Sequence, residues 1–237
     1  MAIGNDNFWA EFLGAEPTDW DGTGVSVHPH VGLSGYCGFW CFRRNKRVVI
    51  SAPESWVDRL AEVVDSRAYD NLMLPTFWEK TLQHRLERVI GPAFQGSLNS
   101  EHFKPKPNSS VRQISDADDR AVEEFRTACG ADWNMPDNAD LWQHAYFEDD
   151  VITALAGYRS WSDSAGDPCV ITRPDSRSGG RGAAVTSAVI AKALANGKLL
   201  LYQTLESNEP AVRIALSLGY ERYANHIAIR LINESTS

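Results

Sequence analysis

The stretch Cys169–Leu194, CVITRPDSRSGGRGAAVTSAVIAKAL, constrains this chain more than any other. An apolar run that reads as a strand ends at Thr172, a proline follows at Pro174, and glycines at 179, 180 and 182 lead straight into a long helical pattern. A strand that turns through a glycine-rich loop into a helix commits this part of the chain to helix-on-sheet packing. Small residues let the main chain turn sharply and come close to a ligand. The unpaired amides at the helix start, together with the helix dipole, favour a diphosphate. Arg177 and Arg181 would add charge-assisted contacts. Taken alone, such a loop is as readily a plain connection. It lacks the Lys-Ser or Lys-Thr pair of a P-loop, and the acid at the end of the next strand, Glu206, comes too late for a dinucleotide ribose. Nucleoside triphosphates and nicotinamide cofactors therefore fit poorly.

The rest of the chain alternates strands and helices. GFWCFRR and VVIS, joined at Asn45-Lys46, predict a hairpin. Ser51 with Glu54 and Thr76 with Glu79 have capping-box spacing and predict helices over SWVDRLAEVV and TLQHRLERVI. The prolines and polar tail of FKPKPNSS, residues 103–110, mark a linker. Beyond it, SVRQI reads as a strand, and Ser115 with Asp118 caps an amphipathic helix through Cys129. LWQHAYFE and VITALAGYRSW flank Asp149-Asp150 as a second hairpin, PCVIT is a short buried strand, and KLLLYQTL a further one. Helices closed by Gly197 and Gly219 and a last strand from Tyr220 complete the pattern. Hairpins and crossovers together predict a mixed α/β (α+β) sheet covered by helices. The division is an α+β domain over 1–103, a linker over 104–110 and a second domain over 111–237.

Composition removes whole classes of function. With 43% hydrophobic and 23% charged residues the chain is neither disordered nor collagen-like. A net charge of −8 argues against nucleic acid or an anionic membrane as partner and leaves room for cationic substrates such as amines. No run approaches the length of a membrane span, and MAIGNDNFWAEFLGAEP lacks a basic and then apolar leader, so the expectation is a cytoplasmic protein. The four scattered cysteines suit a reducing compartment. Cys37 and Cys41, with His28 and His30 upstream, hint at zinc. In a strand, however, four residues span about 13 Å at roughly 3.3 Å each, too far for both sulfurs to reach one ion. No metal is expected.

The glycine-rich loop and the segment C-terminal to it resemble the acetyl-CoA site of the GNAT superfamily of N-acetyltransferases. The family pattern is a strand, a proline, then Arg/Gln-x-x-Gly-x-Gly/Ala opening a helix, and Arg177, Gly180 and Gly182 stand in those places with Pro174 ahead of them. LLLYQTLESNEPAVRIALSLGY resembles the family's next strand, its Asn-x-x-Ala helix start and its closing Gly-Phe/Tyr, filled here by Asn208, Ala211, Gly219 and Tyr220. The likeness covers roughly residues 111–237. The first 103 residues lie outside it and fit either a degenerate second acyltransferase-like lobe or a dimerisation or recognition module, so a homodimer is compatible with the sequence.

The resemblance implies that the fourth and fifth strands of that domain splay apart and admit pantetheine between them. Main-chain groups of Ile171 and Thr172 would pair with its amides, and Arg177, Ser178, Gly179, Gly180, Arg181, Gly182 and Ala183 would hold the diphosphate. Asn208 would face the cofactor, cap its own helix, or both. It implies acetyl-CoA as co-substrate and transfer of the acyl group to an amine, either a small molecule or a protein amine, by direct attack on the thioester. Asp167 stands near where some relatives carry a base, or else is the turn residue of SAGDP. Tyr158, Trp161 and Tyr202 would line the acceptor pocket or belong to the core, and His144 and His226 carry the same two readings. Many relatives carry a tyrosine acid on the helix after the Asn motif, where this chain has Ile214 and Ala215. Its role then falls to Tyr202 or Tyr223, or to solvent, or the protein binds acyl-CoA without turnover.

Overall fold

The computed structural model describes residues 4–64, 69–133 and 142–233, with Trp142 by main chain only. Among the described residues ten strands form a single mixed sheet. The chain divides into two compact units, 1–96 with 203–212 and 222–237, and 97–202 with 213–221. The units are not the two consecutive stretches drawn at residues 103–110: the last strand and the start of the Asn-x-x-Ala helix belong with the N-terminal segment.

In the first unit the strands run β1 (Gly24–Pro29), β3 (Arg47–Ala52), β2 (Gly38–Arg44), β10 (Glu221–Leu231) and β4 (Leu86–Leu98) across the sheet. β2 and β3 form the expected hairpin, with Asn45 at φ 54 in its turn. Alternate residues of β2 face opposite sides. Phe39 and Cys41 join Ile50, Ile227 and Ile229 beneath α2 (Val57–Val63) and α3 (Pro75–Leu82). Trp40 and Phe42 meet the aromatic residues of α1 (Asn5–Leu13), with Trp9 and Phe42 ring centroids 4.7 Å apart.

Two helix expectations are corrected here. Ser51 caps nothing: it lies in β3, fully buried, with its hydroxyl 2.9 Å from His30 Nδ1. α2 starts after a short 3-10 turn at Glu54–Trp56. Thr76 is inside α3, which opens on Pro75 in the first helical position and ends at Leu82. Gln83 takes φ +47, which breaks the helix, and Leu86 to Leu98 forms β4, where Val89 packs under α2 and α3. The β-branched pair Val89-Ile90 suits a strand better than the helical period assigned to it.

The second unit contains β5 (Val111–Gln113), α4 (Asp119–Cys129), β6 (Trp142–Glu148), β7 (Val151–Ser160), β8 (Ala165–Thr172) and α5 (Arg181–Ala195), with β9 (Leu199–Leu205) starting in it. Ser115 and Asp118 form the predicted capping box, which Arg112 reinforces with two bonds to the Asp118 carboxylate. Asp149 and Asp150, both at positive φ, turn the β6–β7 hairpin. β8 is longer than the PCVIT core and pairs antiparallel with β7 along its length. Its side chains alternate between two cores. Cys169 and Ile171 pack beneath α4, and Val170 lies against the Ala154, Ala156, Val185 and Val189 cluster on the α5 side. Residues 103–110 carry no regular element but are tied down by Lys104 N–H to Leu218 O (2.9 Å) and Lys106 N–H to Ser187 Oγ (2.8 Å). Among the described residues no helix is long and apolar enough to cross a membrane.

Candidate functional site

The glycine-rich loop leaves β8 at Thr172, makes one 3-10 turn at Pro174–Ser176 and enters α5 at Arg181. Ser178 (φ 71) and Gly180 (φ 76) take left-handed backbone, which wraps the chain around the helix start. A side chain on Gly182 would meet Thr172 Oγ1 at 3.0 Å and Ile214 Cδ1 at 3.2 Å, so this glycine lets α5 lie close on β8 and on Ile214. Among the described residues no group accepts a hydrogen bond from the amides of Ser178 to Ala183; the first engaged amide is Ala184, which donates to Gly180 O. These donors sit at the positive end of a 15-residue helix, the standard physical arrangement for an anion.

The two arginines of the loop are already engaged. Arg177 pairs with Asp132 at 2.8 Å. Arg181 donates Nε and Nη2 to Glu148 (3.0 and 2.7 Å) and Nη1 to Ser176 O (3.0 Å). The clamp from Glu148, at the end of β6, has no signal in the sequence beyond an acid at a hairpin end.

Beside the loop, β8 pairs in parallel with β9 at only two positions, Ala165–Leu199 and Gly166–Leu200. Among the described residues no further pair joins the two strands, so beyond Gly166 the β8 edge opposite β7 is unpaired through Ile171 and Thr172. Ile171 turns its side chain into the α4 core. The register that carries Arg173 N–H to Thr153 O directs the Ile171 main chain to Leu155 of β7, so Val170 and Thr172 rather than Ile171 present their main chain at the open edge. Asn208 lies in the first unit and caps α6 (Glu209–Ser217), with Ala211 N–H reaching its side-chain oxygen at 3.4 Å.

The acid–base candidates are distributed differently from expectation. Asp167 is neither ahead of the strand nor in a turn. It lies within β8, directly across from Arg159 on β7, and is 1% exposed. Its carboxylate accepts from Arg159 Nε (3.0 Å) and Nη2 (2.9 Å) and from Trp161 Nε1 (2.7 Å). Burial pushes this carboxyl above the ordinary carboxylate range, against the pull of those donors. The Arg159–Asp167–Trp161 cluster is invisible in the sequence because it depends on β7–β8 register. Tyr202 is 2% exposed with its ring against Tyr220 (5.2 Å), and burial raises its phenol. Tyr223 donates to Asp6 Oδ1 (2.9 Å) in the first unit, so its proton is committed there. His144 is lowered by burial and by Lys192. His226, stacked on Trp40 and bonded to Gln203 at 2.7 Å, is lowered by burial to about 4. Burial pushes Cys169 to about 12 and Cys129 to about 11, so neither offers a thiolate near neutral pH. Among the described residues no group of three His, Cys, Asp or Glu is placed to hold a metal.

Comparison with solved structures shows the fold. A protein assigned to the GNAT family of acetyltransferases from Novosphingobium aromaticivorans superposes with TM-score 0.52 at 22% identity, covering 63% of this chain and 68% of its own. A GNAT-family acetyltransferase from Colwellia psychrerythraea gives 0.50 at 14% identity, covering 62% of this chain and 59% of its own. No protein-family model matches the chain, and no curated protein matches it in sequence. The chain therefore has the GNAT acyltransferase fold.

Proposed function

We propose that the chain is an acyl-coenzyme A-dependent N-acyltransferase, with acetyl-CoA as co-substrate and a primary amine as acceptor. The observation that carries this reading is the row of unengaged amides from Ser178 to Ala183, at the start of a long helix and beside the unpaired edge of β8. The residues present fit coenzyme A. The amides of 178–183 suit its diphosphate, the open edge at Val170 and Thr172 suits pantetheine amides, and the Gly182 contact keeps the helix start tight against the strand. Asn208 capping α6 is compatible with a second role toward the cofactor. The thioester supplies the acyl group, and an amine displaces the thiolate as the C–N bond forms, the C–S bond breaks and one proton leaves the nitrogen.

The chain's own part is positioning more than proton transfer. Holding amine and carbonyl within about 3.5 Å removes much of the barrier, and main-chain N–H groups on the open edge of β8 are the donors available to polarise the carbonyl. Asp167 is occupied by Arg159 and Trp161, so the amine proton leaves to water. Ala215, which the family resemblance aligns with a tyrosine acid, is fully buried and carries no acidic group. A thiolate with a pKa of roughly 8.5 takes its proton from solvent at little cost.

Buried Ala215 and ion-paired Asp167 also favour a second reading, a non-catalytic acyl-CoA binder. Acetyl-CoA at about 100 times its Kd stabilises a folded protein by about 2.7 kcal/mol, a rise of about 5–10 °C in Tm for a chain of this size. Absence of both that rise and a calorimetric signal ends both readings. Gly180→Trp, which meets no atom within 4 Å of its Cβ, is expected to fold with about 1–2 kcal/mol of backbone strain and to bind CoA at least tenfold more weakly. Thiol release across a panel of amines separates the two readings, since binding without turnover selects the second.

A further inference from the structure

In the first unit a cavity of about 430 Å³ opens between α2 and the turn that joins α3 to β4. Its floor is apolar, with Leu60 and Leu82 buried, and its walls carry Trp56, Arg59, Glu62, His84 and Arg85. Arg59 and Arg85 both stack on one indole: their guanidinium carbons lie 5.1 and 5.8 Å from the Trp56 ring centroid. Stacking fixes the plane of a guanidinium while leaving its N–H donors unused. Among the described residues neither group donates a hydrogen bond to the protein or pairs with a carboxylate. The contrast with other arginines of this chain is sharp. Arg43, Arg44, Arg47, Arg112, Arg159, Arg177, Arg181 and Arg222 each lie on an Asp or Glu. In a chain of net charge −8, two arginines held on one indole, with Glu62 on the same wall but no carboxylate paired to either among the described residues, are arranged for a charge the protein does not itself supply.

We propose that this cavity binds a phosphomonoester through Arg59 and Arg85, using none of the residues of the glycine-rich loop. Two planar forks match the oxygens of one phosphoryl group. Two positive charges offset a dianion, while Glu62 on the wall opposes any anion and lowers the affinity the two arginines provide. The volume is within the range of small-molecule sites and accommodates a phosphoryl group with a small carrier.

The test titrates inorganic phosphate and glycerol phosphate at constant ionic strength, by calorimetry and by tryptophan fluorescence. Saturable binding is expected, with a fluorescence change that Trp56→Phe removes. Arg59→Gln and Arg85→Gln should each weaken binding about tenfold or more, the loss of one charge-assisted contact. Arg59→Lys should restore it only in part because the fork is gone, and Glu62→Gln should tighten it. These side chains border an open cavity, and thermal melts establish that each variant is folded. No saturable binding of either probe, or binding that both Gln substitutions leave unchanged, overturns the proposal.

Discussion

Replacing Asp167 by Asn separates a structural carboxylate from a catalytic one. The wild-type carboxylate takes three donors within 3.0 Å while 2% of its side chain is exposed. An amide in its place turns an N–H2 toward the guanidinium and leaves buried donors facing each other. Breaking one partner of a fully buried ion pair costs about 3–5 kcal/mol. Arg159 is 44% exposed and recovers part of its hydration, so about 2–3 kcal/mol is expected. At about 2–4 °C per kcal/mol for a chain of this length, the melting temperature should fall by about 5–10 °C. The assay pairs a thermal melt with thiol release from acetyl-CoA, measured at a temperature where the variant is folded. Turnover per folded molecule should stay within a few-fold of wild type. A base in the reaction would behave in the opposite way, with a melting temperature within about 1 °C of wild type and a turnover loss of about 10²–10⁴. That result would refute the anchoring role.

Two further expectations rest on charge. Glu148→Gln releases Arg181 from its carboxylate clamp and removes a negative charge beside the helix start, so CoA affinity should rise about three- to tenfold at low salt and less at high salt; calorimetry at two ionic strengths showing no gain would count against diphosphate binding there. His226 is held near 4 against an ordinary 6.5, so the unfolded chain binds the extra proton first and stability falls as pH drops through 6.5 toward 4, by about 3 kcal/mol. In urea unfolding His226→Gln should lose about that much less between pH 7 and pH 4, and parallel curves for the two proteins would contradict the burial argument.

The parts of the fold legible in the sequence are those fixed by local chemistry. The Ser115–Asp118 capping box, the Asp149-Asp150 hairpin and the helix closed by Gly197 each depend on a few adjacent residues, and each is present. Ser51 and Thr76 have the same capping spacing but lie inside a strand and a helix, because the sheet needs Val48 to Ala52 as β3 and α3 starts at Pro75, with its N-cap at Leu74 rather than Thr76. β4 is hidden for a related reason: helical periodicity in TLQHRLERVI yields to the positive φ at Gln83 and to strand pairing far away in sequence. In the candidate site the loop is visible as glycines ahead of an apolar helix. The environment of Asp167 is not, since Arg159 and Asp167 become partners only through a hairpin register.

The loop also shows why its main chain, more than its arginines, should govern anion affinity. A ligand arriving at Ser178–Ala183 meets amides with no protein acceptor to displace, so each hydrogen bond replaces only water. The same ligand meets Arg177 and Arg181 on Asp132 and Glu148, and every contact with a guanidinium competes with a carboxylate already in place. In a chain with 31 acidic and 23 basic residues, such pairing is the ordinary fate of a surface arginine. Backbone amides cannot be neutralised in that way, and here the left-handed turns at Ser178 and Gly180 keep them from being spent inside the helix. On the proposed function, a diphosphate would be selected by the loop's conformation, with the arginines modulating affinity through ionic strength and through the carboxylates that hold them.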